Sequence, residues 1–201
     1  MIELNFSLIG TETSTLRTML DKFEEEYKVH VRVRSIDWEG AWYELLSWAL
    51  HSQGPDVSHI GSTWSASLIA MNALRPFSNG EIRLFGGSQA FLPQAWQSGT
   101  LIEQPEVWSI PWTTYTFVLC YRRDLLDRAG VIEKAAFTSP TAVEGTLANL
   151  RGAGIEMPWI VPVAPNHIDT LHHLASFVWG MGGDFVSPAG SRMTFTQPMA
   201  M

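Results

Sequence analysis

The sequence predicts an α/β fold in which a mostly parallel sheet carries helices on both faces. Segments with strand and helix patterns alternate three times before residue 76, and short loops join them. The chain has 201 residues, of which 46% are hydrophobic and 16% charged, as is typical of a globular protein. This length suffices for one large domain or two small ones.

The elements of the first part are predicted from hydrophobic periodicity and from residues that favour helix ends. In chain order they are a strand at 3–9, a helix from Thr13 or Ser14, a strand at 30–36, a helix capped by Asp37, a strand at 56–60 and a helix at 66–73. The apolar face predicted for the second helix consists of Trp42, Leu45, Leu46, Ala49 and Leu50. Strands that alternate with helices in this way form a parallel sheet.

The later part of the chain has a less regular pattern. Helices are predicted near 90–97, 124–130, 140–151 and 166–181, and extended segments at 107–111, 116–121, 157–163 and 192–195. Pro140 suits the first position of its helix, and Gly182 with Gly183 ends the last one.

Polar and aromatic residues follow each of the first three predicted strands. Ligands of open parallel sheets bind beyond the carboxyl ends of the strands. The candidate ligand-binding residues at these ends are Thr11, Glu12, Trp38, Trp42, Ser62, Thr63 and Trp64. Hydroxyls and carboxylates bond to sugar hydroxyls, and indole faces cover the C–H side of a sugar ring. The tryptophans could instead fill the core, and Glu12 could be a first-turn helix charge.

Five short segments carry a resemblance to a known family. They are 54–64 (Gly-Pro-Asp-Val-Ser-His-Ile-Gly-Ser-Thr-Trp), 73–77 (Ala-Leu-Arg-Pro-Phe), 110–115 (Ile-Pro-Trp-Thr-Thr-Tyr), 119–126 (Leu-Cys-Tyr-Arg-Arg-Asp-Leu-Leu) and 179–184 (Trp-Gly-Met-Gly-Gly-Asp). In this order they resemble the extracellular solute-binding proteins of bacterial ABC transporters, in the group related to maltose-binding protein.

The resemblance implies a periplasmic-binding-protein-like bilobal fold of type II, with a sugar or oligosaccharide held in a cleft between the lobes. Residues 1–111 would form the first α/β lobe, and 112–201 the hinge crossover and part of the second. The further ligand contacts implied are Trp112, Tyr115, Asn166, Trp179 and Gly183. It also implies hinge closure, an extracytoplasmic location and delivery of the solute to permease subunits in the membrane. We expect the chain to be a monomer.

Two features differ from the family pattern. The first residues lack the charged and apolar regions of an export signal, so a cytoplasmic location stays open. The chain is also short for the family, and we expect a truncated product with an incomplete second lobe that is poorly stable and binds sugar weakly. A cytoplasmic ligand-sensing module of a regulatory protein is the main alternative function.

Other function classes are disfavoured by composition and motifs. A net charge of −7 with 13 basic residues disfavours nucleic acid as a partner. No phosphate loop or dinucleotide motif is present, so we expect no cofactor and no catalysis. His167, Asp169, His172 and His173 lack a second group of metal ligands, and we expect no metal. Ser88 in Gly86-Gly-Ser would be a hydrolase nucleophile only if a buried strand preceded it.

Overall fold

The computed structural model describes residues 2–161 and 169–195. The chain divides into two compact units, Met1–Thr114 and Tyr115–Met201. The role of residues 112–115 as a hinge stays a prediction.

A three-stranded parallel sheet forms the centre of the first unit. Strand β1 (Ile2–Ile9) lies in the middle, between β2 (Val29–Ile36) and β3 (Val57–Ser58). β1 pairs with β2 along its whole length, from Ile2 opposite Val29 to Ile9 opposite Ile36. Both pairings are parallel, as the alternation of strands and helices predicts.

Helix α1 (Ser14–Tyr27) begins where a threonine satisfies a free amide. The N–H of Leu16 donates to the Thr13 hydroxyl over 3.2 Å, which makes Thr13 the N-cap. Leu16 is the buried residue of α1, and it packs in a cluster with Phe6, Leu8 and Val31 of the sheet. Burying one such aliphatic side chain contributes about 1.5–3 kcal/mol to folding.

Helix α2 (Trp38–His51) turns a narrower face to the core than its sequence predicts. Its buried residues are Ala41 and Leu45, and Ala41 packs with Ile9 and Ile36. Leu50 is 75% exposed, so its place on the predicted apolar face is wrong. Residues 41, 45 and 48 share one side of the helix at helical spacing, and Leu50 lies off that side.

Three short helices complete the first unit: α3 (Ser65–Ala70), α4 (Asn79–Leu84) and α5 (Pro93–Gln97). Helix α4 was not predicted, although its start has a readable signal. Ser78 and Glu81 form a capping box, in which the Ser78 N–H donates to Glu81 over 2.7 Å and the Glu81 N–H donates to the Ser78 hydroxyl over 3.3 Å.

In its described residues, the second unit is built from helices α6 (Arg123–Arg128), α7 (Pro140–Gly152) and α8 (Asp169–Gly180). Leu126, Ala136 and Leu150 form its buried cluster. Ser139 caps α7 by accepting a 3.1 Å hydrogen bond from the N–H of Ala142.

The extended segments predicted in the second unit do not form ladders within the described residues. Of these segments, only 192–195 takes part in a bridge, between Met193 and Val186. An extended segment becomes a strand only where a neighbour pairs with its main chain. Periodicity indicates that a segment is extended and not whether it has such a neighbour.

None of the helices in 2–161 and 169–195 has the length and apolar character of a membrane span.

Candidate functional site

The first two strands and the segment that follows β3 end at one edge of the sheet. The N–H of Gly10 donates to the Ile36 carbonyl over 2.9 Å, which ties the end of β1 to the end of β2. On the other side, the N–H of His59 donates to the Ser7 carbonyl over 2.8 Å. Because the pairing is parallel, the loops after these strands share the carboxyl edge, where ligands of such sheets bind.

Five aromatic rings meet at this edge and form what we call the rim cluster. Its members are Trp38, Trp42, His59, Trp64 and Trp112. The ring centroid of Trp64 lies 5.7 Å from that of Trp38 and 5.6 Å from that of Trp42. His59 meets Trp38 edge-on at 5.8 Å and Trp112 in a stacked arrangement at 6.3 Å. The structure therefore brings together four tryptophans that the sequence had singled out.

The rim cluster is fixed on one side and open on the other. Trp64 packs against the buried cluster of Ile9, Ile36 and Ala41. Trp38 is 46% exposed and Trp112 is 56% exposed, so indole surface is available to solvent. Trp64 can both pack against the core and stack on a ligand, because an indole that packs on one face can leave its other face accessible.

A glycine lets the Trp64 ring lie against the main chain. Trp64 ends a 3₁₀ turn, Ser62–Trp64, that follows Gly61. A Cβ built on Gly61 would lie 3.2 Å from Cδ2 of Trp64 and 3.3 Å from its Cε3, closer than ordinary contact. Gly61 therefore sets how near the indole approaches the chain.

The polar residues predicted at the strand ends are accessible to different degrees. Thr11, Ser62 and Thr63 are exposed, and Glu12 is half-buried. Oε1 of Glu12 lies 3.7 Å from Nη1 of Arg17, which is an ion pair without a hydrogen bond. That oxygen is buried and has no hydrogen-bond partner among the described residues. Hydroxyls and a carboxylate acceptor thus lie at the same edge as the indoles.

His59 belongs to the rim cluster, although it was not among the predicted binding residues. Burial lowers the pKa of His59, and a hydrogen bond to the Ile9 carbonyl acts in the opposite direction. The residue directly follows β3, and a polar side chain between a strand and Gly61 is the signal that could have identified it.

An open depression of about 370 Å³ lies at the end of β2. Its lining consists of Arg34, Ser35, Ile36, Asp37, Glu39, Gly40 and Glu44. Arg34 is engaged by Glu44 through contacts of 2.8 and 2.7 Å. The lining contains no aromatic ring, so this depression is less suited to a sugar face than the rim cluster.

The predicted binding residues of the second unit have the following local environments. Tyr115 is exposed, and Trp179 is 56% exposed. The indole N–H of Trp179 donates to Asp184 over 3.2 Å. The N–H of Gly183 donates to the Val178 carbonyl over 2.9 Å, at the end of α8. Asn166 lies outside the described residues.

The described residues contain no group of three metal-ligating side chains. The rings of His172 and His173 lie 6.3 and 4.5 Å from that of Phe117. Ser88 follows helix α4 rather than a strand, so the backbone that a nucleophile elbow requires is not formed there.

A parallel α/β unit whose carboxyl edge presents aromatic and polar groups defines a ligand-binding class of protein. Residues 18–168 match a family model described as bacterial extracellular solute-binding protein. The chain belongs to this family. A comparison with curated proteins finds no match.

Solved structures support the same fold. The sugar-binding protein MalE from Xanthomonas citri superposes with a TM-score of 0.77 at 20% identity, over 98% of this chain and 49% of that one. A cyclic alpha-maltosyl-1,6-maltose binding protein from Arthrobacter globiformis gives a TM-score of 0.71 at 14% identity, over 99% of this chain and 51% of that one. An ABC transporter solute-binding protein from Thermotoga lettingae, bound with alpha-D-tagatose, gives a TM-score of 0.67 at 14% identity, over 100% of this chain and 51% of that one.

At these identities the likeness establishes the fold, which is that of the bilobal periplasmic binding proteins. The predicted fold class is confirmed. The chain spans about half the length of the solved structures that it matches.

Proposed function

We propose that this chain binds a neutral carbohydrate, without reaction, for uptake by an ABC transporter. The observation that carries the proposal is the rim cluster, in which indoles and hydrogen-bonding groups share the carboxyl edge of a parallel sheet. Family membership supports solute binding, and the sugar ligands named for similar solved structures support a carbohydrate.

The chemistry of the edge favours a sugar over an anionic solute. A sugar ring has apolar C–H faces that suit an indole and hydroxyls that suit a carboxylate acceptor. Glu12 offers an oxygen without a hydrogen-bond partner among the described residues, and the chain carries a net charge of −7. The negative charge disfavours an anion, and the Glu12 oxygen can accept a hydrogen bond from a hydroxyl.

The proposed ligand contacts are Thr11, Glu12, Ser62, Thr63 and the four tryptophans of the rim cluster, with Tyr115, Asn166, Trp179 and Gly183 from the second unit. The cleft expected between two lobes stays a prediction. The proposed partner is the permease of an ABC transporter, and the proposed location is extracytoplasmic, as for the family. We further propose that the protein acts as a monomer.

The test compares two tryptophans that share a core contact and differ at the rim. Trp64 and Trp48 both pack against Ile9, Ile36 and Ala41. Trp64 also contacts two rings of the rim cluster, whereas the Trp48 ring lies 5.3 Å from the Arg34 guanidinium. Both substitutions to alanine remove packing, and only Trp64→Ala removes a proposed ligand surface.

Isothermal titration calorimetry with maltose, maltotriose, mannotriose and tagatose measures the effect. By analogy with stacking of bases on aromatic side chains, Trp64→Ala should weaken binding by about 1–3 kcal/mol. Trp48→Ala should lower the urea midpoint and leave affinity unchanged in the folded protein. Equal losses of affinity in both variants, or no binding of any sugar by the unaltered chain, would contradict the proposal.

A further inference from the structure

His59 contacts two indoles at the edge of the sheet. Its main-chain N–H is bonded to the Ser7 carbonyl, which fixes the residue to β1. Its ring is nearly perpendicular to that of Trp38, at 5.8 Å between centroids, and stacked on that of Trp112 at 6.3 Å. The imidazole is therefore positioned by main-chain pairing and by ring contacts, within the set of residues proposed to bind the ligand.

The hydrogen-bonding state of the ring follows from its two nitrogens. Nδ1 is buried and has no hydrogen-bond partner among residues 2–161 and 169–195. We place the single ring N–H of the neutral imidazole on Nε2. A neutral imidazole carries one N–H, and Nδ1 is then left as an acceptor with a free lone pair.

A buried acceptor without a donor is unfavourable. Such a group destabilises the fold relative to one whose hydrogen bond is made. Unsatisfied polar atoms are rare in folded proteins and often occur at sites of function. The two rings against His59, Trp38 and Trp112, are 46% and 56% exposed, so the imidazole lies next to the solvent-accessible part of the rim cluster.

We propose that His59 is a ligand-binding residue whose Nδ1 accepts a hydrogen bond from a carbohydrate hydroxyl. This inference rests on the proposed function and adds a residue that selects for a donor at one position of the ligand. A ligand that lacks that hydroxyl leaves Nδ1 unpaired and binds more weakly. His59 thereby contributes specificity, while the indoles contribute contact area.

The experiment combines variants of the full chain with analogues of the sugar. The sugar of the panel that binds most tightly is compared with its monodeoxy analogues by calorimetry. His59→Phe keeps an aromatic ring against the two indoles and removes both nitrogens. His59→Asn places an amide near the Nδ1 position. If His59→Phe does not fold, His59→Gln takes its place. Its longer side chain carries the amide to the Nε2 position and leaves the Nδ1 position without an acceptor.

We expect His59→Phe to weaken binding about threefold to tenfold, the usual range for one neutral hydrogen bond. His59→Asn should recover most of this loss. For the unaltered chain, one monodeoxy analogue should have a lower affinity than the parent sugar. For His59→Phe, that analogue and the parent sugar should have equal affinities.

The outcomes separate this inference from the proposed function. If the unaltered chain binds a sugar and His59→Phe binds it equally well, the assignment of His59 is wrong and the proposed function stands. A loss in His59→Phe that every analogue shows equally, without recovery in His59→Asn, indicates a purely structural role and also overturns it. Absence of sugar binding by the unaltered chain overturns both.

Discussion

The contact between Gly61 and Trp64 predicts a substitution that alters the rim cluster while the fold is kept. Gly61 has φ −70° and ψ 134°, an extended conformation that alanine adopts without strain. Gly61→Ala places a Cβ 3.2 Å from Cδ2 of Trp64, where ordinary contact begins at 3.4 Å. The indole must then move by a few tenths of an ångström.

The ring has little room for this movement. Trp38 and Trp42 lie within 5.7 Å of its centroid, and Ile9, Ile36 and Ala41 lie beneath it. Overpacking in such places costs about 1–3 kcal/mol. Replacing a glycine that has ordinary φ returns about 0.4–1 kcal/mol, because the unfolded chain loses freedom. The net loss of stability should therefore be small, on the order of 1 kcal/mol.

The matched control is Gly80→Ala in α4, where the nearest atom, the Ser78 hydroxyl oxygen, lies at 3.7 Å. Near-UV circular dichroism, which reports aromatic packing, should change in Gly61→Ala and not in Gly80→Ala. Sugar affinity should fall in the same variant, and its urea midpoint should fall by about 0.3–1 M. Gly80→Ala should not lower the midpoint, because alanine favours a helix over glycine. If Gly61→Ala leaves both the aromatic spectrum and the affinity unchanged, Gly61 does not position the Trp64 ring.

Two further predictions concern stability. Glu24 accepts hydrogen bonds from the Val31 N–H at 2.9 Å and from Arg17 at 2.8 Å, and these bonds lower its pKa from 4.5 to about 2. Because the pKa of Glu24 is lowered in the folded state, this stabilisation is present above pH 4.5 and is lost as the pH falls towards 2. In urea unfolding at pH 7, Glu24→Gln should therefore be less stable than the unaltered chain. A difference of the same size at pH 2 would contradict this explanation. Leu126 is 2% exposed in the core of the second unit, so Leu126→Ala should destabilise that unit by about 2–5 kcal/mol. Hydrogen exchange of the α6 and α7 amides measures this loss, and unchanged protection there would show that Leu126 does not hold the unit together.

The parallel sheet could be predicted because its signals are local and repeated. A residue that favours a helix start follows each of the first two strands closely. The spacing of apolar residues is two along the strand and about 3.6 along the helix that follows. The helix that Ser139 and Pro140 begin was predicted for the same reason, since a cap and a fixed φ act within one turn.

Features that depend on distant partners could not be predicted in the same way. β3 has two paired residues, fewer than its extended pattern suggests, although β1 continues to Ile9 beside it. How far two strands stay paired depends on the course of both chains, which periodicity does not show. Leu50 is apolar but exposed, because other residues of α2 are the ones buried against the core. The lack of a hydrogen-bond partner for Nδ1 of His59 among the described residues could not be predicted, because only the positions of its neighbours reveal it.

The candidate site also shows why core packing and ligand contact were difficult to distinguish from sequence. Trp64 rests on Ile9, Ile36 and Ala41, which are buried because two strands and a helix meet there. Since those contacts restrain one side of the indole, its position relative to Trp38 and Trp42 is set before any ligand arrives. A surface restrained in this way loses less conformational freedom on binding than a free side chain. Packing beneath the ring therefore favours binding above it.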